Sequence, residues 1–268
     1  RSLDGLPLAI ELAAARAAVL SVDQIADRLG ERFRLLASPD SDVVPRHRTL
    51  EATIDWSYGL LSPAEQALFR ALSVFAGGFT LDAACALVAP SQDEAEVIDL
   101  LSQLVGKSLV SLDAAASPPR YRVLETVRRF ALERAREHDE LPALRDRHLE
   151  VYTLLAERNE DRLLTSEQGE ALALLAAEYD NMRAALSWAL ESLPATRGLA
   201  LRLAGSLGWF WYFRGFLSEG REWLDRVLAS TASSDPSQRS GKALSAGGVL
   251  AYLQADDERA RARLESAV

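Results

Sequence analysis

The stretches Ser108-Leu109-Val110-Ser111-Leu112 and Tyr121-Arg122-Val123-Leu124 decide how this chain is read. Here the hydrophobic period shortens to two, the period of a short β-strand. Asp113 to Pro119 forms the loop between the two runs. Working outward, the neighbouring segments are helical. Leu50, Ile54, Ser57 and Tyr58 sit at helical spacing. Ser62-Pro63-Ala64-Glu65 joins a capping box to a proline at the first helical position. A helix therefore starts there and turns Leu68, Phe69 and Leu72 inward. Gly77-Gly78 breaks the chain. Thr80 caps a short helix through Val88, and a further helix from Glu94 to Val105 directs Val97, Ile98, Leu101 and Leu104 inward. Three helices followed by a two-stranded wing make a winged-helix domain over residues 46–140. The helix beginning near Glu125 closes it.

A winged helix that reads DNA lays the helix before the wing in the major groove. In this chain that helix carries Asp93, Glu94, Glu96 and Asp99, with no lysine or arginine between Asp93 and Leu104. Negative charge would face phosphates where a reader must supply positive charge. Arg120 and Arg122 on the wing do not offset it. The expectation is a winged helix that packs against a neighbour and does not read DNA.

On the N-terminal side, residues 1–45 open on Gly5-Leu6-Pro7-Leu8-Ala9. Asp4 can cap a helix here, and Pro7 suits its first turn, where a missing N–H is harmless. The helix should run to about Leu20 and be buried, because it is apolar almost all round. A second helix from Ser21 places Val22, Ile25, Ala26 and Leu29 on one face, and Ser38-Pro39-Asp40-Ser41-Asp42 reads as a loop. Four residues precede Gly5 and none is an initiating Met, so the chain is expected to be a piece of a longer protein.

On the C-terminal side, residues 141–268 are helical throughout. Apolar and aromatic residues recur at helical spacing in Leu149-Val151-Tyr152-Leu155, in Leu172-Leu175-Tyr179-Met182-Leu186 and in Leu203-Leu207-Phe210-Trp211. An internal repeat follows. Tyr212-Phe213-Arg214-Gly215 aligns with Tyr252-Leu253-Gln254-Ala255, Gly220 with Ala260, Leu224 with Leu264 and Val227 with Ala267, at an offset of 40 residues. Tetratricopeptide-like helical hairpins repeat at about 34 residues, and the Ser-rich loop Thr231 to Ser240 accommodates the excess. The region reads as a truncated α-solenoid, since such an array needs about three repeats and a polar cap.

Composition bounds the function. The 268 residues are 49% hydrophobic with a net charge of −9. That is enough for packed helical cores and argues against a general nucleic-acid binder. The charge is spread along the chain and no segment is a basic island. Cys85 is the only cysteine. It lies in an apolar helical stretch and reads as a buried structural residue. His47, His138 and His148 lack metal-site spacing. No apolar run reaches about 18 residues. A reducing cytoplasm and no membrane partner are the expectations. No G-x-x-x-x-G-K-[ST] phosphate loop and no G-x-S-x-G element occurs, so no catalytic residue and no metal ligand is assigned.

Several runs together carry a resemblance. Gly5-Leu6-Pro7-Leu8-Ala9-Ile10-Glu11-Leu12-Ala13-Ala14 resembles the GLPLA motif that closes the helical ARC subdomain of NB-ARC-type ATPases. Arg46-His47-Arg48-Thr49-Leu50, Thr53-Ile54-Asp55-Trp56-Ser57-Tyr58 and Leu72-Ser73-Val74-Phe75-Ala76-Gly77-Gly78-Phe79 are similar to runs in bacterial signal-transduction (STAND) ATPases of the LuxR-like and SARP-like regulators. So are Leu109-Val110 with Tyr121-Arg122-Val123-Leu124-Glu125-Thr126-Val127-Arg128, and Glu178-Tyr179-Asp180-Asn181-Met182-Arg183-Ala184-Ala185-Leu186. The resemblance spans nearly the whole chain.

The resemblance implies a mainly α architecture in three parts. Residues 1–45 would be the end of an ARC-like helical subdomain, a helical remnant of an NTPase module. Residues 46–140 would be the winged helix with its small β-hairpin, and residues 141–268 a TPR-like α-solenoid. It also implies a switch. A module binding ATP or ADP with Mg lies elsewhere in the full-length protein, the winged helix locks it, the repeats sense a protein or small-molecule signal, and a separate output domain contacts DNA. This fragment would hold no cofactor itself. Gly5, Leu6 and Pro7 would stand on the adenine side of the nucleotide. Pro7 keeps a second reading as a helix-start proline with no ligand contact. Relatives carry a Met-His-Asp motif whose His reaches the ADP phosphate. Val123, Leu124 and Glu125 occupy the matching positions, and Leu124 cannot make that bond, so an ADP lock would be weaker or built differently. Arg128 or Arg129 would be the substitutes, or else ordinary surface charges.

The cluster Trp209, Phe210, Trp211, Tyr212, Phe213 and Phe216 is denser than one helix face requires. Either all its rings fill the seam between helices, or part of it forms a sensor surface of Trp209, Trp211, Tyr212, Arg214, Phe216 and Arg221. The competing class of function is a stand-alone helical-repeat scaffold that only binds proteins.

Overall fold

The structure is a computed structural model that describes residues 7–17, 20–27, 45–88, 93–229 and 238–267. It is mainly α, with one two-stranded antiparallel hairpin among the described residues. The chain divides into two compact units: residues 1–74 with 78–141, and residues 75–77 with 142–268.

In the first unit, α1 (Pro7–Ala14) packs against α2 (Pro45–Gly59). Ala13, Ile25 and Trp56 form a small apolar cluster with Leu20 at its edge. The Arg16 guanidinium is buried and donates to the Ser57 carbonyl at 3.3 Å. The first helix is shorter than its apolar run suggests, and it is not buried all round, because Ile10 is 48% exposed. Residues 22–27 are helical behind a reciprocal Ser21/Gln24 cap. Ile25 faces inward there, whereas Val22, expected on the same face, points to solvent. The loop expected at Ser38 to Asp42 lies outside the described residues.

The winged helix follows. In α3 (Pro63–Leu72) the Ser62/Glu65 capping box closes as its sequence requires, with Glu65 N–H donating to Ser62 Oγ at 3.3 Å and Ser62 N–H to Glu65 Oε2 at 2.7 Å. Leu68, Phe69 and Leu72 are buried. The Thr80 hydroxyl accepts from Ala83 N–H at the head of α4 (Leu81–Val88), and Asp93 caps α5 (Glu94–Gly106). The strands β1 (Ser111–Asp113) and β2 (Arg120–Arg122) pair with Leu112 opposite Tyr121. They are shorter than expected and displaced by one to three residues at their edges, because Leu109 and Val110 are drawn into the core instead of pairing. Phe79 adds a bridge to Tyr121 through two backbone bonds of 2.8 and 2.9 Å. Helix α6 (Glu125–Glu137) closes the domain with Val127, Phe130, Ala131 and Ala135. A bidentate fork from Arg70 to Glu140, 2.7 Å on each arm, together with a bond from Arg70 to the Tyr58 hydroxyl, ties α3 to the chain leaving α6. These partners raise the Arg70 pKa, the Glu140 bond most of all.

From residue 142 on, the second unit is built of helices among its described residues: α7 (Leu141–Glu160), whose first residue belongs to the first unit, a 3-10 turn (Asp161–Leu164), α8 (Gln168–Ala177), α9 (Tyr179–Glu191), α10 (Arg197–Ser206), α11 (Gly208–Arg214), α12 (Leu217–Ala229), α13 (Gln238–Leu253) and α14 (Asp257–Ser266). Two successive hairpins, α11–α12 and α13–α14, realise the 40-residue repeat. Their turns pass through Gly215 at φ 71° and Ala255 at φ 59°, the aligned positions. Gly220 lets α12 approach closely, since a Cβ placed there would lie 2.6 Å from the Trp211 ring and would force the helix or the indole to shift. The aligned apolar position differs between copies, with Leu224 fully buried and Leu264 40% exposed. Arg221 with Asp256 and Gln254, Arg263 with Asp225, and Gln254 with Ser218 stitch one hairpin to the next.

Candidate functional site

Apart from Gly5 and Leu6, the site residues expected from the sequence lie among the described residues. Helix α5 seals Val97, Leu100, Leu101 and Leu104 into the winged-helix core. The opposite face is solvent-exposed and carries Asp93, Glu94, Glu96 and Asp99, with Ile98 40% exposed among them. Ile98, expected to face inward, lies on this outer face instead. The Asp93 carboxylate accepts Glu96 N–H at 2.8 Å. Acids here favour the helix N-terminus and repel phosphates alike. Lys107, just past the helix, is held in an ion pair by the buried Glu65, whose pKa is lowered by its hydrogen bonds against the desolvation that alone would raise it.

Val123, Leu124 and Glu125 lead from the wing into α6. Leu124 is the N-cap residue of α6, with no side-chain cap bond and 51% exposure. The Glu125 carboxylate takes two bonds from Arg128, at 2.8 and 2.9 Å, which hold its pKa below the usual carboxylate value. Arg128 also donates to the Ser73 carbonyl at 3.2 Å. Its guanidinium is thus engaged within the winged helix, while Arg129 is exposed. Pro7 begins α1, and Gly5 and Leu6 lie outside the described residues.

The aromatic cluster splits. Trp211 is fully buried, with its indole N–H donated to the Tyr179 hydroxyl at 2.7 Å. It is a core residue, which corrects its assignment to a sensor surface. Arg221 is likewise structural, because it links the two hairpins through Asp256 and Gln254. Phe216 is half-buried, stacked on Tyr179 at 5.6 Å and edge-on to Phe210 at 6.1 Å. Arg214 is exposed above the Phe216 ring. Only Trp209 and Tyr212, 37% and 39% exposed, open onto a cavity. This slot of about 280 Å³ lies between the α10–α11 corner and α13.

Two runs that carry the family resemblance meet in the second unit, a meeting no spacing rule could have anticipated. Ala76 N–H donates to Asn181 Oδ1 at 2.8 Å. Asn181 Nδ2 donates to the buried Glu178 carboxylate at 2.9 Å, which also accepts from the Tyr152 hydroxyl at 2.8 Å. Phe75 packs edge-on against His148 and Tyr152. His148 is buried, and burial pushes its pKa down to about 4. Cys85 is half-buried, and desolvation raises its thiol pKa. Among the described residues no group of His, Cys, Asp and Glu is placed to hold a metal ion, and no helix is long and apolar enough to cross a membrane.

Residues 61–136 match the model of a winged helix-turn-helix domain. The chain is 44% identical over 229 residues to a Mycobacterium tuberculosis protein classed as an HTH-type transcriptional regulator, covering 85% of this chain and 26% of that protein. It is 43% identical over 150 residues to an uncharacterized protein of the same species, covering 55% of this chain and 38% of the relative. It is 37% identical over 131 residues to regulatory protein AfsR of Streptomyces coelicolor, covering 47% of this chain and 12% of AfsR. The chain therefore spans about a quarter of the length of the mycobacterial regulator it matches, and it is homologous to a segment of transcriptional regulators. No solved structure matches it.

Proposed function

We propose that this chain is the coupling and sensing segment of a longer, nucleotide-switched transcriptional regulator. The winged helix transmits state by packing, the helical repeats receive the signal, and DNA is contacted by a separate output domain. ATP or ADP with Mg binds a module outside these residues, with Pro7 on its adenine side. The segment itself carries no catalysis. The observation that supports the reading is the exposed acidic face of α5, set where a groove-reading helix would need cations. The relation to regulators several times its length agrees with a part that serves a larger switch.

The experiment is a selection from a pool of random-sequence duplexes at physiological salt, with the whole chain as bait. No sequence should be enriched. An enriched motif whose binding is lost on Arg120→Ala or Arg122→Ala would overturn the proposal. In parallel, calorimetric titration with ATP and with ADP should give no saturable heat, and a tight site for either in this chain would contradict the placement of the nucleotide.

A further inference from the structure

Helix α11 is aromatic on every side, and the core uses only half of it. Phe210 and Trp211 are fully buried. Trp209 and Tyr212, one helical turn apart, remain more than a third exposed and meet edge to face at 5.8 Å. Their face continues back through Gly208 and Gly205. Opposite runs a second stripe at helical spacing on α13: Lys242, Ser245 and Ala246, Val249 and Leu250. A Cβ at Gly208 would lie 2.7 Å from that of Ala246. Small residues thus let the backbones close up at one end, while the large rings prop the space open at the other. The resulting slot of about 280 Å³ falls at the small end of the range for ligand pockets, roughly 300–1,000 Å³.

Its chemistry selects among ligands. One end holds Lys242 Nζ against Glu160 Oε2 at 2.6 Å. Each charge is matched by the other, so the slot offers no unbalanced charge to an ionic ligand. An anion would have to draw Lys242 away from the largely buried Glu160 carboxylate. Ser245 adds a hydroxyl that can donate or accept one bond. The remaining walls are aromatic and aliphatic. An α-helix with its side chains is about 10–12 Å across, too wide for a slot of this volume, so a helical peptide does not fit.

We infer that this slot is a binding site for a small, neutral, planar aromatic molecule, held between the Trp209 and Tyr212 rings and the Ala246–Leu250 stripe. The inference rests on the sensing role proposed above and gives that role its ligand class.

The test uses the whole chain with three probes that share the indole ring and differ in charge: indole, indole-3-acetate and tryptamine, with 3-methylindole as the neutral control for a substituent at that position. Binding is read by saturation-transfer NMR and by equilibrium dialysis. Indole should bind saturably below millimolar concentration, with the anion and the cation weaker. Tyr212→Ala and Ser245→Phe should each weaken indole binding by about tenfold or more, the first by removing an aromatic wall and the second by filling the mouth. Neither should shift the unfolding midpoint of the free protein. The inference is overturned if indole shows no saturable binding, if both variants bind it as the natural chain does, or if the charged probes match it. The sensing role is read separately, from transcription driven by the longer regulator. If Trp209→Ala and Tyr212→Ala alter that output although no probe binds, the ligand class is wrong and the sensing role stands. If indole binding obeys the slot variants but output never changes, the slot is a true site and the sensing role fails.

Discussion

Helices α5 and α11 pose the same problem and resolve it in opposite ways. Each seals one stripe into a core: Val97, Leu100, Leu101 and Leu104 on the first, Phe210 and Trp211 on the second. Each leaves side chains of the opposite face exposed. On α5 that face is acidic, which suits water and repels a polyanion. On α11 it carries two large rings, each more than a third exposed, that open onto a slot. The inward stripe of a helix reports only that it folds; the outward face reports what it is placed to meet.

The division of α11 into a core half and a site half gives the largest expected effect. Trp211→Ala should destabilise the second unit by about 3–5 kcal/mol, as large-to-small changes in a core do. Trp209→Ala should cost much less, because its ring is already partly in solvent. Urea titrations of the two variants, compared at unchanged slope, measure the gap. Equal losses would erase the distinction between the two halves.

A second effect separates the two units by pH. Among the described residues His148 is the buried histidine, with its pKa near 4 against the usual 6.5. The unfolded chain takes up this proton more readily than the folded one. Stability from this group is therefore complete above about pH 6.5 and falls as pH drops toward 4, on the order of a few kcal/mol. Carboxylates held low by ion pairs, such as Glu157 beside Arg202, lose stability over a more acid range. His148→Phe, which keeps a ring against Phe75 and Tyr152, should flatten the slope between pH 6.5 and 4 in the second unit. An unchanged slope would assign it to other groups.

The smallest of the three effects lies beneath the slot. Gly220→Ala forces a Cβ to 2.6 Å from the Trp211 ring and should cost about 1–3 kcal/mol through overpacking. Thermal unfolding should show the loss. A neutral substitution would mean the indole can shift without cost, which would weaken the account of why α11 points two of its rings outward.

Much of the fold could be read from local chemistry. The Ser62/Glu65 box and the Thr80 cap are short-range patterns, and each appears where its residues require it; the 40-residue repeat returns as two hairpins that turn at Gly215 and Ala255. Positions set by long-range packing were harder to read. Leu109 and Val110 alternate like a strand but are taken by the core, so the wing begins later. Val22 and Ile98 sit at apolar spacing yet face water, because no element among the described residues covers those positions. At the candidate site, the density of rings marks the α11 cluster in the sequence, Trp209 and Tyr212 included. Trp211 and Arg221 could not be told apart from them, since the Tyr179 hydroxyl and Asp256 that claim them lie 32 and 35 residues away. The Ala76–Asn181 bond spans 105 residues and has no local signature.

We propose that this winged helix does not read DNA because the exposed face of α5 is acidic. The most direct measurement is fluorescence anisotropy of a labelled duplex pool at several salt concentrations, comparing the natural chain with a Glu94→Lys, Glu96→Lys, Asp99→Lys variant. The natural chain should show no binding at physiological salt. The variant should gain weak, sequence-independent binding that falls steeply as salt rises, the signature of phosphate contacts newly made. Specific binding by the natural chain that the lysines weaken would contradict the account.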